Sequence, residues 1–278
     1  MPSSLSIGVG LRHPHYQDVL EQRPPIDWFE VHSENFFHLD SPALDSLLKI
    51  RQRYPISLHG IGLSLGSAEG VMHAHLTRLN TLITRVEPFI ISEHLSWSVV
   101  AGRYIPDLLP IPYNQESFTL ISRNIAIAQE FLKRPILIEN PSSYVEYKDS
   151  DRQEVDFLIS LCINTGCKLL LDINNVYVSS KNHGWNARDY INAIPSHLVG
   201  EIHLAGHTLK TLDENTTLLI DTHDDFVCEE VWALYALAIV RFGLVPTLLE
   251  WDENIPKLDV LVQEALRARD HIKSSEHA

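Results

Sequence analysis

KLLLDINNVY, residues Lys168 to Tyr177, decides how the rest of the chain is read. The apolar run Leu169, Leu170, Leu171 follows Gly166 and stops at Asp172, with Asn174 and Asn175 beyond it. A short continuous apolar run bounded in this way predicts a strand buried on both faces, as in a parallel sheet. Its polar end is then where chemistry can sit. The same grammar, an apolar strand ending in His or a carboxylate, recurs in ISLHGIG (Ile56 to Gly62), IISEHLSW (Ile90 to Trp97), ILIENPS (Ile136 to Ser142), GEIHLAG (Gly200 to Gly206) and TLLEWDE (Thr247 to Glu253). With SIGVGLR at Ser6 to Arg12 and Trp28 to Val31, this makes eight strands alternating with helical segments. That alternation predicts an α/β TIM (β/α)8 barrel as a single domain over residues 1–278, with a frayed tail near 273–278.

Composition agrees. The chain has 278 residues, 45% hydrophobic and 21% charged, enough for one large core. Its formal net charge of -14, with no basic run, excludes a phosphate-backbone partner, because nucleic-acid binding needs clustered Lys and Arg. Three cysteines, Cys162, Cys167 and Cys228, are odd in number and lack CxxC spacing, so neither a disulfide framework nor a zinc-thiolate site is expected, and a reducing cytoplasm fits. The N-terminus lacks a signal-peptide pattern, and the apolar stretch Val231 to Val240 is about half the ~20 residues a bilayer requires.

Between the strands, Ser41-Pro42 opens a helix with Leu44, Leu47 and Leu48 on one face. Further helices are expected over Val71–Val86, Gln115–Phe131, Glu154–Asn164, Ala187–Ile194, Val227–Phe242 and Lys257–Ala268. The proline-rich Ile105 to Pro112 reads as a long rim loop, and residues 207–226 as a long polar segment. Gly8-x-Gly10, without a third glycine opening a helix, signals a close backbone approach rather than a dinucleotide site. His73 and His75, two apart on a helix, are expected at the surface; His13, His15, His32 and His183 are expected at the rim or surface.

In such a barrel the site lies at the carboxyl ends of the strands. The residues there are His59, the adjacent Glu93 and His94, Glu139, Asp172 with Asn175, His203 and Glu250. Any one strand-end histidine is more often structural. A carboxylate closing an apolar strand, as at Glu139, Asp172 and Glu250, is costly unless paired or metal-bound. Strand alternation lets only one of Glu93 and His94 face inward. His203 is preferred to His207 because it sits on the strand. Asp221 and His223 in IDTHDD lie off the eight-strand count, yet residues two apart in an extended segment can reach one ion together. Imidazole and carboxylate without thiolate suit iron, manganese or zinc, and so many ligands exceed what one ion needs.

The succession GVGLR, FEVHSENFF, SLHGIGLSLG, SEHLSWS, IENPSSY, LLDINNVYVSSKNHGW, EIHLAGH, IDTHDD and LLEWDENIP resembles the multinuclear non-haem iron-dependent oxidase family, which includes the methanobactin biosynthesis oxidase. The likeness runs from Gly8 to about Pro256. It implies a TIM barrel holding two or three iron ions of mixed Fe(II)/Fe(III) state, with O2 as co-substrate. It also implies a cysteine-containing, ribosomally made precursor peptide as substrate, with oxazolone, thioamide or related chemistry, and a separate partner protein that presents the peptide. Residue by residue, it implies one iron on His59, His94 and Glu139, and a second on Glu139, Asp172, His203 and Glu250. A third falls to Asp221 and His223 with the residue three after Asp172, which is Asn175 here where the family pattern has histidine. The resemblance thereby selects His94 over Glu93.

Two alternatives stand beside it. A divalent-metal TIM-barrel isomerase or endonuclease-like hydrolase would use the same strand-end ligand types. A non-catalytic metal-binding protein would close its coordination sphere.

Overall fold

A computed structural model describes residues 7–213 and 216–275, so Ser6 of the expected first strand and residues 276–278 of the expected tail lie outside the described residues. The strands are β1 (Ile7–Gly10), β2 (Trp28–His32), β3 (Ile56–Gly60), β4 (Ile90–His94), β5 (Trp97–Val100), β6 (Arg103–Leu109), β7 (Leu137–Glu139), β8 (Lys168–Asp172), β9 (Val199–Leu204), β10 (Thr208–Thr211), β11 (Thr217–Ile220) and β12 (Thr247–Leu249). The helices are α1 (Tyr16–Gln22), α2 (Pro42–Arg51), α3 (His73–Val86), α4 (Gln115–Leu132), α5 (Glu154–Thr165), α6 (Ile173–His183), α7 (Ala187–Ala193), α8 (Glu229–Phe242) and α9 (Leu258–Ser275). Eight of the strands close a parallel barrel in the order β1-β12-β9-β8-β7-β4-β3-β2, as the apolar-run pattern predicts.

Apolar strand residues such as Val9, Phe29, Val31, Leu58, Leu171 and Ile202 pack outward against the helix ring, all buried. The inward residues differ: from β2, Trp28 closes the floor of the barrel, with Glu30 and His32 above it in period-two alternation. Gly8, paired with Trp28 across the sheet, leaves room for that indole; a methyl there would penetrate the ring. This is the close approach expected of the Gly8-x-Gly10 pair.

Three expectations need correction. Ile105–Pro112 is not all loop: β6 pairs antiparallel with β5, and Pro106 is tolerated because this is a two-stranded hairpin with free edges. The polar segment after Gly206 likewise folds into the antiparallel pair β10–β11. Helix α6 follows β8 directly, although Val176, Tyr177 and Val178 are poor helix formers. It forms because Asp172 caps it, accepting a hydrogen bond from the Asn175 amide at 2.6 Å. The helix α9 also continues beyond its expected end at Ala268 to Ser275.

Because the indole occupies the space a side chain at residue 8 would need, Gly8→Ala is expected to destabilise the barrel by about 1–3 kcal/mol, the usual penalty for overpacking. Chemical denaturation of the metal-free variant against the metal-free parent chain measures it, and an unchanged midpoint would contradict the close approach at Gly8.

Candidate metal centre

The strand register builds the site. His59 pairs laterally with Ser92, His94 with Glu139, and Asp172 with His203. The side chains at these strand ends therefore converge on one mouth of the barrel. Nε2 of His59 and Nε2 of His94 each lie 3.2 Å from the same Glu139 oxygen and 3.4 Å from one another. Their other nitrogens are engaged: Nδ1 of His59 meets the Ser92 hydroxyl at 2.8 Å, and Nδ1 of His94 the Gly60 carbonyl at 3.0 Å. A Nδ1–H donated to that carbonyl leaves the Nε2 lone pair of His94 facing Glu139.

Glu139 also joins a second group. One ligand atom each from Glu139, Asp172, His203 and Glu250 falls within 4.8 Å of the others, and all four residues are buried. Nδ1 of His203 is 3.1 Å from Glu250. A third group sits at the edge: Nε2 of His223 is 2.7 Å from Asp221, and its Nδ1 is 3.4 Å from Glu250. The off-count segment reaches the mouth because Gly206 lets it lie against the end of β9: a Cβ at Gly206 would collide with the Asp225 backbone, and the His223 amide donates to the Gly206 carbonyl. His223 itself takes a left-handed φ of 47°, unusual for a residue with a side chain.

The structure thus brings together His59, His94, Glu139, Asp172, His203, Asp221, His223 and Glu250. Asn175 is buried beside them, but its amide nitrogen donates to the Asn140 carbonyl at 3.0 Å and lies 3.4 Å from Glu139. The amide that reaches Asp221 is that of Asn174, at 2.6 Å. His207 touches Asn174 rather than the main clusters. Glu93 is buried away from the mouth, accepting from the Leu63 amide at 3.1 Å, so alternation does divide it from His94.

Sequence reading missed several residues. Glu30 and Glu201 lie buried beneath His203, 3.3 and 3.6 Å from its Nε2. Their signal was the i, i+2 spacing of Trp28, Glu30, His32 and of Glu201, His203. Arg12 pairs with Asp252 through Nε (2.8 Å) and Nη2, and lies 3.6 Å from Glu250 and 3.2 Å from His32. It fills the position where His32, Glu250 and Asp252 would otherwise gather a cation. Four histidines expected at the rim or surface are not free there. His15 is buried against the Pro256 carbonyl, His32 packs on Arg12, His75 pairs with Glu34 at 3.2 Å, and His183 bonds to Ser143. His73 is exposed as expected.

The donor set fits cations. Asp172 Oδ2 and Asn175 Oδ1 are buried with no hydrogen-bond partner, a costly state that a coordinated ion relieves. Protons stand in for charge otherwise. Burial opposes charging His59, but hydrogen bonding to Glu139 and its attraction outweigh this and raise the imidazole to about 10. His203 is likewise raised against burial by Glu250 and Glu30. His94 goes the other way, lowered chiefly by burial. Burial, with Asp221 and Glu139 nearby, pushes Asp172 well above the usual carboxylate range.

Over residues 6–273 the chain matches the family of RiPP precursor modification enzymes MbnB/TglH/ChrH. The chain belongs to this family. Its relatives include a UPF0276 protein of Vibrio vulnificus (strain YJ016), 48% identical over 269 residues that cover 97% of this chain and 92% of that one. A UPF0276 protein of Caulobacter vibrioides (strain NA1000 / CB15N) is 48% identical over 263 residues, covering 94% and 92%. Among solved structures, D-psicose 3-epimerase from Clostridium cellulolyticum H10 superposes with a TM-score of 0.63 at 10% identity, covering 98% of this chain and 99% of that one. Endonuclease IV from Thermus thermophilus gives 0.58 at 15%, covering 97% and 99%. At these identities the structural likeness speaks for the barrel fold alone.

In this member of the MbnB/TglH/ChrH family, a cation entering the mouth must displace the protons on His59 and His203. Affinity for a divalent cation is therefore expected to rise with pH by about tenfold per unit for each proton released. For the His59 proton the rise ends near pH 10, where that imidazole is already neutral. Calorimetric titration of the metal-free protein in buffers of different ionisation enthalpy counts the protons; a count of zero would contradict the electrostatics described.

Proposed function

We propose that this chain is a multinuclear non-haem iron, O2-dependent oxidase that modifies cysteine residues of a ribosomally synthesised precursor peptide. The observation that carries the reading is Glu139, whose side chain belongs to both ligand clusters and so could serve two ions. His59, His94 and Glu139 would hold one iron; Glu139, Asp172, His203 and Glu250 a second; Asp221 and His223, with Asn175 nearby, a third. Membership of a precursor-modifying family supports a peptide substrate, and the nitrogen and oxygen donors suit iron. Iron in such a site supplies redox chemistry with O2 and acidifies a coordinated thiol.

The chain's own residues supply the surroundings. The Ser92 hydroxyl and Gly60 carbonyl fix the two histidines of the first cluster. Arg12, held by Asp252, keeps a permanent positive charge beside Glu250, so that flank needs no ion. The hairpins β5–β6 and β10–β11 and the exposed Tyr144 and Tyr147 stand around the mouth, a surface suited to an extended peptide and a peptide-presenting partner.

A second reading is a divalent-metal isomerase or hydrolase that needs no O2, for which the same nitrogen and oxygen donors would serve. Metal analysis and Mössbauer spectroscopy on anaerobically purified protein, followed by O2 and a cysteine-containing precursor peptide, separate the two. Two or three irons per chain and a mass change in the peptide are expected; stoichiometric zinc or manganese without O2 uptake would favour the second.

Substitutions sharpen the assignment. His59→Ala and Asp172→Ala should each lower peptide oxidation by more than about 100-fold, beyond the 10–100-fold typical of residues behind the ligands, while circular dichroism stays that of the barrel. Glu139→Ala should deplete two irons, and Asp221→Ala only the third. Equal iron content in the two variants would remove Glu139 as the bridge.

A further inference from the structure

The hairpin β10–β11 leaves one strand edge open beside the mouth. Asn182 of α6 brackets Leu219 of β11: its amide nitrogen donates to the Leu219 carbonyl and its amide oxygen accepts from the Leu219 N–H, both at 3.0 Å. Those backbone groups therefore point away from β10, so Leu209 and Leu219 face each other as a non-hydrogen-bonded pair. Alternation then bonds Thr208 and Lys210 to β11 and turns the N–H and C=O of Leu209 and Thr211 outward. The Leu212 N–H, donating to the Thr216 carbonyl at 2.9 Å, keeps the same phase. No described residue bonds those outward groups, and β10 is exposed along its whole length, Leu209 by 61%. The other hairpin edges are closed. Asn182 covers β11, and the Ser64 hydroxyl accepts from the Ser98 and Val99 amides of β5. On β6, Pro106 has no N–H and the Leu108 N–H is taken by Oδ1 of Asp107 at 2.8 Å.

We propose that the free edge of β10 takes the precursor peptide as an added antiparallel strand. The proposal rests on the peptide-oxidase reading above and deepens it by naming where the substrate docks. Membership of a precursor-modifying family supplies the occupant, a peptide. An open edge selects one in extended form, held by main-chain hydrogen bonds to Leu209 and Thr211. Direction follows from the topology. β11 ends at Ile220, immediately before Asp221, and β10 starts at Thr208, five residues after His203, so the paired ends Thr208 and Ile220 are the ones nearest the ligands. A strand antiparallel to β10 runs the same way as β11 and delivers its C-terminal continuation to the mouth. Cysteines that follow the docked segment come within reach; those that precede it are carried away. Leu209 shares its face with Leu219, so an apolar peptide side chain beside Leu209 adds to the main-chain bonds.

The probe is a synthetic peptide of alternating valine and threonine followed by glycine and one cysteine, added in excess to the metal-free full chain. Amide hydrogen exchange at Leu209 and Thr211 is expected to slow on binding, while Thr208 and Lys210, already in the ladder, change little. Methylating the probe's backbone nitrogens one at a time should weaken binding about 3- to 10-fold at alternate residues and leave those between unaffected. Leu209→Pro removes one outward donor on an edge that tolerates proline and should weaken binding to the same extent. Unchanged exchange at Leu209 and Thr211, or methylation losses without alternation, would overturn the proposal. So would slowing of those two amides with protein concentration alone, which would give the edge to a second copy of the chain. In the iron-loaded protein with O2, the probe should change mass when its cysteine follows the strand segment and not when it precedes it; equal modification would overturn the direction. Alternating binding with no mass change in either probe would overturn the oxidase reading and leave the docking edge standing.

Discussion

Buried negative charge at the mouth of the barrel is the constraint on which the rest depends. Glu30, Glu139, Asp172, Glu201 and Glu250 are at most 3% exposed, and Asp221 and Asp252 stand beside them. Removing carboxylates from water costs several kcal/mol each unless something compensates. Among the described residues, Arg12 is the one permanently charged side chain paired with this group, and it is committed to Asp252 and Glu250. The remaining compensation comes from protons: on His59, His203 and His223, all raised above the ordinary imidazole value, and on Glu201, which burial pushes up to about 8. Each of those protons occupies a place that a multivalent cation can take.

The barrel makes this arrangement affordable in conformational terms. Parallel strands in register place His59 beside Ser92 and His94 beside Glu139 without any loop having to order itself. The ligand positions lie on strands whose outward faces are locked by apolar packing, so their directions are set by the pleat. Asp172 has two tasks, ending β8 and capping α6, which ties the ligand to the helix that carries Asn174 and Asn175. Asp221 and His223 come instead from irregular backbone, and there the strained φ of His223 and the close packing at Gly206 take over the work of the sheet.

How far the sequence discloses this follows from the kind of signal each feature leaves. Strands such as Lys168–Asp172 and Ile56–Gly60 are continuous apolar runs, and their polar ends stand out, so the barrel and the residues at its mouth are legible. Glu30 and Glu201 are masked because each sits inside its strand, where a carboxylate reads as an outward residue unless period two is counted from Trp28 or His203. The hairpins are masked by Pro106 and by a polar, charged composition that suits a loop equally well. Arg12 closes a contact with Asp252 across 240 residues, and no local pattern records a pairing of that range.

The barrel shared with epimerases and endonuclease IV at 10–15% identity shows that the scaffold tolerates many chemistries, so the distinction has to lie in the mouth. Here two clusters share Glu139, a third is built from a segment outside the barrel, and one flank is already neutralised by Arg12. Ions in the proposed centre would therefore be drawn to the side bounded by His59, His94 and Asp172. Asymmetry of this kind separates the positions chemically: the first cluster has two imidazoles with Nε2 turned to the mouth, whereas the second is rich in carboxylate. Imidazole-rich and carboxylate-rich positions favour different charge states of the same metal, and Glu139 couples them. In the proposed centre the inequality between positions would come from the strand ends themselves, before any substrate arrives.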